Sequence, residues 1–130
     1  MKSKIMTHFR LNNGNPTEIF YPISDSEFDN QFFEIFDRND YKIGKKKNSI
    51  YLDVGANIGL TALYFRRFAK KYYAIEPSKD CFSAFKQNTK DMEITAWNGA
   101  LWNKKTDLKL YKVKDDSMPQ TFFAQDAIGD

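Results

Sequence analysis

The residues whose types and spacing could do chemistry are Asp53, Gly55, Asn57 and Gly59, in the run Tyr51-Leu52-Asp53-Val54-Gly55-Ala56-Asn57-Ile58-Gly59, together with Glu76-Pro77 further along. Glycine lets a chain turn sharply and lets a ligand approach the backbone without meeting a Cβ. The N–H groups of such a turn, and of a helix that starts from it, are expected as donors to a carboxylate or ring oxygen. An acidic side chain at the end of the next strand offers two acceptor oxygens, which suits a pair of ribose hydroxyls.

The spacing excludes the phosphate-binding versions of such a loop. A dinucleotide fingerprint, G-x-G-x-x-G, registered on Gly55 needs glycines where this chain has Asn57 and Leu60. A P-loop needs G-K-[ST], and none follows. What remains is D-x-G-x-N-x-G after a strand, an acid ending the following strand, and no device for phosphate. That pattern suits an adenosine ligand without phosphates, S-adenosylmethionine.

These residues need elements to hold them. Ser49–Val54 is a mainly apolar run of strand length, and the expectation is burial on both faces of a parallel sheet. Residues 55–59 break it, and Leu60, Leu63, Tyr64 and Phe68 predict a helix from about residue 60 to 71. Tyr72–Ile75 reads as a second strand closed by Glu76-Pro77, Lys79–Thr89 as a second helix, and Glu93–Asn98 as a third strand. The alternation over Asp107–Lys114 predicts a more exposed, antiparallel strand, and from Asp115 onward the sequence reads as loop. Upstream, Ile19–Tyr21 predicts a short strand ended by Pro22. Ser24 and Glu27 have capping-box spacing for a helix that carries Phe28, Phe32, Phe33, Ile35 and Phe36, most of them on one face, and stops near Asn39. Strand–helix–strand–helix–strand with short connections predicts a doubly wound α/β sheet, with ligands beyond the carboxyl ends of its strands.

Composition narrows the class. The chain has 130 residues, 42% hydrophobic and 28% charged, which excludes a disordered protein and matches one small domain. The 20 basic and 17 acidic residues leave a net charge of +3, too mild to imply nucleic acid. Lys45–Lys47, Arg66-Arg67 and Lys70-Lys71 read as solvated surface, the last two pairs on the outer face of the first helix after the glycine turn. The longest uncharged stretch, Val54–Phe65, is shorter than the roughly 20 apolar residues of a membrane span. A single cysteine, Cys81, leaves no internal disulfide and reads as buried and inert. No cysteine, histidine and carboxylate set has metal spacing, and a cytoplasmic location is expected. His8 lies in an irregular stretch with no partner motif, and Trp97 and Trp102 read as core aromatics rather than stacking platforms.

The run from Tyr51 to Gly59, followed by Ala74-Ile75-Glu76-Pro77, resembles the FkbM-type branch of class I S-adenosylmethionine-dependent methyltransferases. Glu34-Ile35-Phe36 with Tyr41, and Asn98-Gly99-Ala100-Leu101, agree with it. The resemblance implies a Rossmann-like doubly wound sheet, with residues 1–48 as an N-terminal strand and helix extension and 49–130 as a partial cofactor-binding domain. It implies that Asp53 and the turn of Gly55, Ala56, Asn57 and Gly59 hold the methionyl and adenosine parts of S-adenosylmethionine, with Thr61 near the methionyl carboxylate. Glu76 would bind the ribose, Pro77 would shape the adenine pocket, and Asn98 and Ala100 would lie against the ring. The implied activity is O-methylation of a sugar or another small hydroxylated acceptor.

A second acidic signature of that family, K-x-D-x-E-G, does not occur in the chain, and no catalytic base is assigned. The expectation is therefore an N-terminal part of the fold, cut after the third parallel strand and a flanking antiparallel strand. Its first parallel strand would then present an open edge prone to self-association. Two other readings stand beside it: a cofactor-binding remnant without catalysis, and a non-enzymatic module that pairs through that edge.

Overall fold

A computed structural model describes residues 3–8, 16–42, 45–112 and 122–126. Two strands, β1 (Lys4–His8) and β2 (Thr17–Tyr21), pair antiparallel, with Ile5 opposite Phe20 and Met6 opposite Ile19. The sequence reading anticipated only the second of them. Helix α1 (Asp25–Phe32) then starts as the capping box requires, with the Ser24 hydroxyl accepting the Glu27 N–H at 3.2 Å. A single π-helical turn, Phe33–Asp37, continues it, and Asn39 ends it in the left-handed conformation at φ 60.

The parallel sheet is built from β3 (Ser49–Val54), β4 (Ala69–Ile75) and β5 (Ile94–Trp97), in the order β3-β4-β5. Helix α2 (Leu60–Phe65) connects β3 to β4, and α3 (Lys79–Asn88) connects β4 to β5. The α/β class and the parallel succession are those the sequence predicts. Helix α2 is shorter than expected. It stops at Phe65, where the Phe68 N–H folds back to the Phe65 carbonyl at 2.8 Å, and residues 69–71 join β4 instead. Pairing with β3 outweighs the helical preference of that segment. Lys70 and Lys71 therefore lie on a strand, exposed, rather than on a helix. Last comes an antiparallel pair, β6 (Leu108–Lys112) with β7 (Phe122–Asp126), the latter in a segment that reads as loop.

The sheet is covered on one face. Tyr51, Asp53, Tyr72, Ala74, Ile94 and Ala96 point toward α1, α2 and α3, where the core residues Phe28, Ile58, Leu60, Leu63 and Phe85 are buried. A file of rings links the layers. Phe32 stacks on Phe36 at 4.5 Å, Phe36 meets the edge of Tyr64 at 5.6 Å, Tyr64 that of Phe65 at 5.0 Å, and Phe65 stacks on Tyr51 at 4.4 Å. Such pairs contribute about 0.5–1.5 kcal/mol each beyond their burial.

On the other face Ile50, Leu52, Val54 and Trp97 are half or more exposed, so β3 is not buried on both sides as its apolar run predicts. Successive right-handed crossovers in one direction lay both helices on the same side of a sheet, which accounts for the asymmetry. Trp102 is likewise half-exposed, so neither tryptophan is a core aromatic. No helix among the described residues is long and apolar enough to cross a membrane.

Asn88, at the end of α3, fastens the N-terminal strands to this sheet. Its side-chain oxygen accepts the Phe20 N–H at 2.7 Å, and its amide donates to the carbonyls of Phe20 and Ile58, both at 2.8 Å. Asn88→Ala leaves all three partners without it, and the expected loss is about 2–3 kcal/mol of stability, read from the denaturant midpoint. A change within the error of the measurement would contradict this role.

Candidate functional site

The unusual residues gather beyond the carboxyl ends of β3 and β4. The chain leaves β3 through three left-handed residues at alternate positions: Gly55 at φ 82, Asn57 at φ 49 and Gly59 at φ 91. Asparagine tolerates this conformation better than other non-glycine residues, which explains its place between the two glycines. The glycines do different work. Around Gly55 an added Cβ would meet nothing within 4 Å, so a ligand has room there. At Gly59 a Cβ would stand 3.0 Å from the Phe85 ring and 3.1 Å from the Thr89 methyl, so that glycine serves the packing of α3.

The turn's N–H groups are largely used within the chain, contrary to their expected role as free donors. Gly55 and Ala56 both donate to the Ile75 carbonyl, at 2.8 and 3.1 Å, and Gly59 donates to that of Ala56 at 3.0 Å. Asn57 donates to Glu76 Oε2 at 2.7 Å, and the other oxygen of Glu76 accepts the Ser78 N–H at 2.8 Å. Ser78 is the cap of α3, its hydroxyl accepting the Cys81 N–H. One carboxylate thus joins the glycine turn to the start of the next helix. Glu76 is 5% exposed, and burial raises its pKa against the lowering effect of those two N–H donors. The buried Asn57 side-chain oxygen has no hydrogen-bond partner.

Asp53 points to the covered face, where Tyr72 Oη donates to its Oδ2 at 2.7 Å. Burial raises its pKa, and the tyrosine bond only partly offsets this. Burial likewise pushes Tyr72 far above the usual phenol range, with the Asp53 charge adding to it. Tyr72 carries no sequence signal as a site residue, because its pairing with Asp53 exists only once β3 and β4 are in register.

Asn98 follows β5, and its amide donates to the carbonyls of Glu76 at 2.8 Å and Pro77 at 3.1 Å, clamping the ends of β4 and β5 together. Pro77, Asn98, Ala100 and Trp102 line an open cleft of about 700 Å³ with Lys79 and Lys105 at its sides. Thr61 stands in the first turn of α2, half-buried, with no hydrogen bond of its side chain among those the structure shows. Cys81 is buried, and burial pushes its thiol up to about 11, which suits an inert packing residue. No family model matches this chain, and no curated protein matches it.

Two outcomes follow from this geometry. Gly59→Ala combines left-handed strain with a forced contact on Phe85, and should cost about 2–4 kcal/mol, against about 1 kcal/mol for Gly55→Ala in open space. Equal losses in urea denaturation would refute the division of labour. A carboxyl whose pKa is raised by folding stabilises the fold while protonated and loses that contribution as pH rises through the raised value. Wild-type stability should therefore fall relative to Glu76→Gln as pH rises from about 4 toward neutrality. A constant or widening difference in wild type's favour would contradict the burial-raised pKa.

Proposed function

We propose that this chain is the cofactor-binding part of an S-adenosylmethionine-dependent methyltransferase of the FkbM type. Its reaction is O-methylation of a sugar or another small hydroxylated acceptor. The observation that supports this most is the meeting of the glycine turn and the strand-end acid, in the bond from the Asn57 N–H to Glu76 Oε2 at 2.7 Å. That bond brings the turn and the acid together beyond the carboxyl ends of parallel strands, where open sheets bind ligands.

The residues present fit the cofactor. Each Glu76 oxygen accepts one N–H and keeps a second lone pair, enough for the two ribose hydroxyls after a small displacement of the turn that buries them. The open space above Gly55 admits the ligand's backbone-side atoms. The open cleft beside Pro77, Asn98 and Ala100 is large enough to admit a base. Asp53, held by Tyr72 and raised in pKa by burial, would find a counterion in the methionyl ammonium, which would draw that pKa down again. Thr61 is near enough in sequence to the turn to serve the methionyl carboxylate.

The bound cofactor supplies a methyl group on a sulfonium, open to in-line attack by an acceptor oxygen. The chain's contribution is to fix the cofactor's orientation and keep water from it. No described residue is assigned as the base, so binding without turnover is the second reading.

Calorimetric titration with S-adenosylhomocysteine tests the reading. A one-to-one heat of binding is expected, weakened about tenfold or more by Asp53→Asn and by Glu76→Ala, with circular dichroism confirming that each variant folds. An absence of heat at millimolar ligand would overturn it.

A further inference from the structure

Asp53 is a half-buried carboxylate with no cation beside it. Among the described residues ion pairs join Lys4 to Asp25 and Arg38 to Asp40, and none involves Asp53. The charged group near enough to feel it is a second acid, Glu76, whose pKa is raised by burial and, to a lesser degree, by the charge of Asp53. Two carboxylates beside a glycine turn, neither paired with a cationic side chain, favour a ligand that brings positive charge. Glu76 has both oxygens engaged by backbone N–H groups, whereas Asp53 has one oxygen engaged by a side chain, that of Tyr72.

Tyr72 lies opposite Tyr51 in the pairing of β3 with β4, and Asp53 lies opposite Ala74. The phenol ring therefore reaches toward the carboxyl ends of the strands to meet the carboxylate, past a neighbour that has only a Cβ. The residue is 2% exposed, its ring stacks with Tyr51 at 5.8 Å, and Tyr51 stacks in turn on Phe65 at 4.4 Å. Packing thus fixes where the hydroxyl points. A phenylalanine would fill the same space, so packing gives no reason for the hydroxyl, whose partner is Asp53 Oδ2 at 2.7 Å. Burial holds the phenol far above its usual pKa, so it stays a donor. Among the described residues nothing bonds the other oxygen, Oδ1.

We propose, on the cofactor reading above, that Tyr72 is a positioning residue: its hydroxyl fixes Asp53 through Oδ2 and leaves Oδ1 to receive the α-ammonium of an S-adenosyl ligand. A carboxylate pinned through one oxygen gives up its rotation before the ligand arrives, so the ammonium meets an acceptor already in place. Burial raises the Asp53 pKa, and the same bond works against that by favouring the charged form. The hydroxyl itself touches no part of the ligand. Its effect depends on the ammonium being there, which makes Tyr72 a determinant of specificity for the amino-acid end of the ligand.

Two ligands separate this role from a structural one: S-adenosylhomocysteine, and its deamino analogue, which keeps the nucleoside, thioether and carboxylate but lacks the amino group. In calorimetry of the full chain, Tyr72→Phe should weaken S-adenosylhomocysteine about fivefold and leave the analogue within about twofold. Should Tyr72→Phe unfold the chain by leaving Oδ2 without its donor, Asp53→Asn is compared with the double variant that adds Tyr72→Phe to it. A hydroxyl that acts only through the carboxylate should then add less than about twofold, because the charge is already gone. Equal weakening of both ligands, no change in either, or a further loss of about fivefold in the double variant would overturn the proposal. In each of those cases a wild type that binds S-adenosylhomocysteine leaves the cofactor reading standing, whereas a wild type that binds neither ligand overturns both.

Discussion

The carboxylate of Glu76 ties the site to the fold. Held almost out of solvent, it accepts one N–H from the glycine turn and one from the capping residue of α3, while its own backbone continues the ladder between β4 and β5. The cost of burying a carboxylate is offset here only in part by bonds to two backbone donors, and burial still raises its pKa. Turn, second strand and second helix are thereby fixed relative to one another, and the space over Gly55 and the cleft beside Pro77 take their shape from that arrangement. A ligand that engages Glu76 acts on a group that is already structural, so binding and local stability share one set of contacts.

The second constraint is the one-sidedness of the sheet. All three helices and the aromatic file from Phe32 to Tyr51 pack on one face, and Asn88 adds the N-terminal strands to that same core. The opposite face carries apolar side chains in a row across the strands, Val54 beside Ile75 and Ile75 beside Trp97. Parallel sheets are usually covered on both faces. Among the described residues, one face of the sheet thus supports the glycine turn and the packed helices, and the other stays bare.

Much of the site was legible in the sequence because it is local. Positive φ at positions 55, 57 and 59 needs glycine or asparagine whatever surrounds them, and Glu76-Pro77 marks a strand end by itself. The Ser24 cap was legible for the same reason. Strands β1 and β7 were not, because five-residue strands exist through their partners, and neither segment shows strict alternation. The length of α2 was misjudged because the Arg66–Lys71 segment suits a helix, while register with β3 decides for a strand.

By itself, then, the amino-acid order determined the turn, the acid that follows it, the Ser24 cap and the α/β succession, since each depends on residues within a few positions of one another. Tertiary structure alone decided that Tyr72 holds Asp53, that Asn88 holds Phe20 and Ile58, and that Gly59 makes room for Phe85 rather than for a ligand. It also decided that the apolar run of β3 has one buried face and one bare one. These are contacts between residues far apart in the chain, and their partners become neighbours only when the strands settle into register.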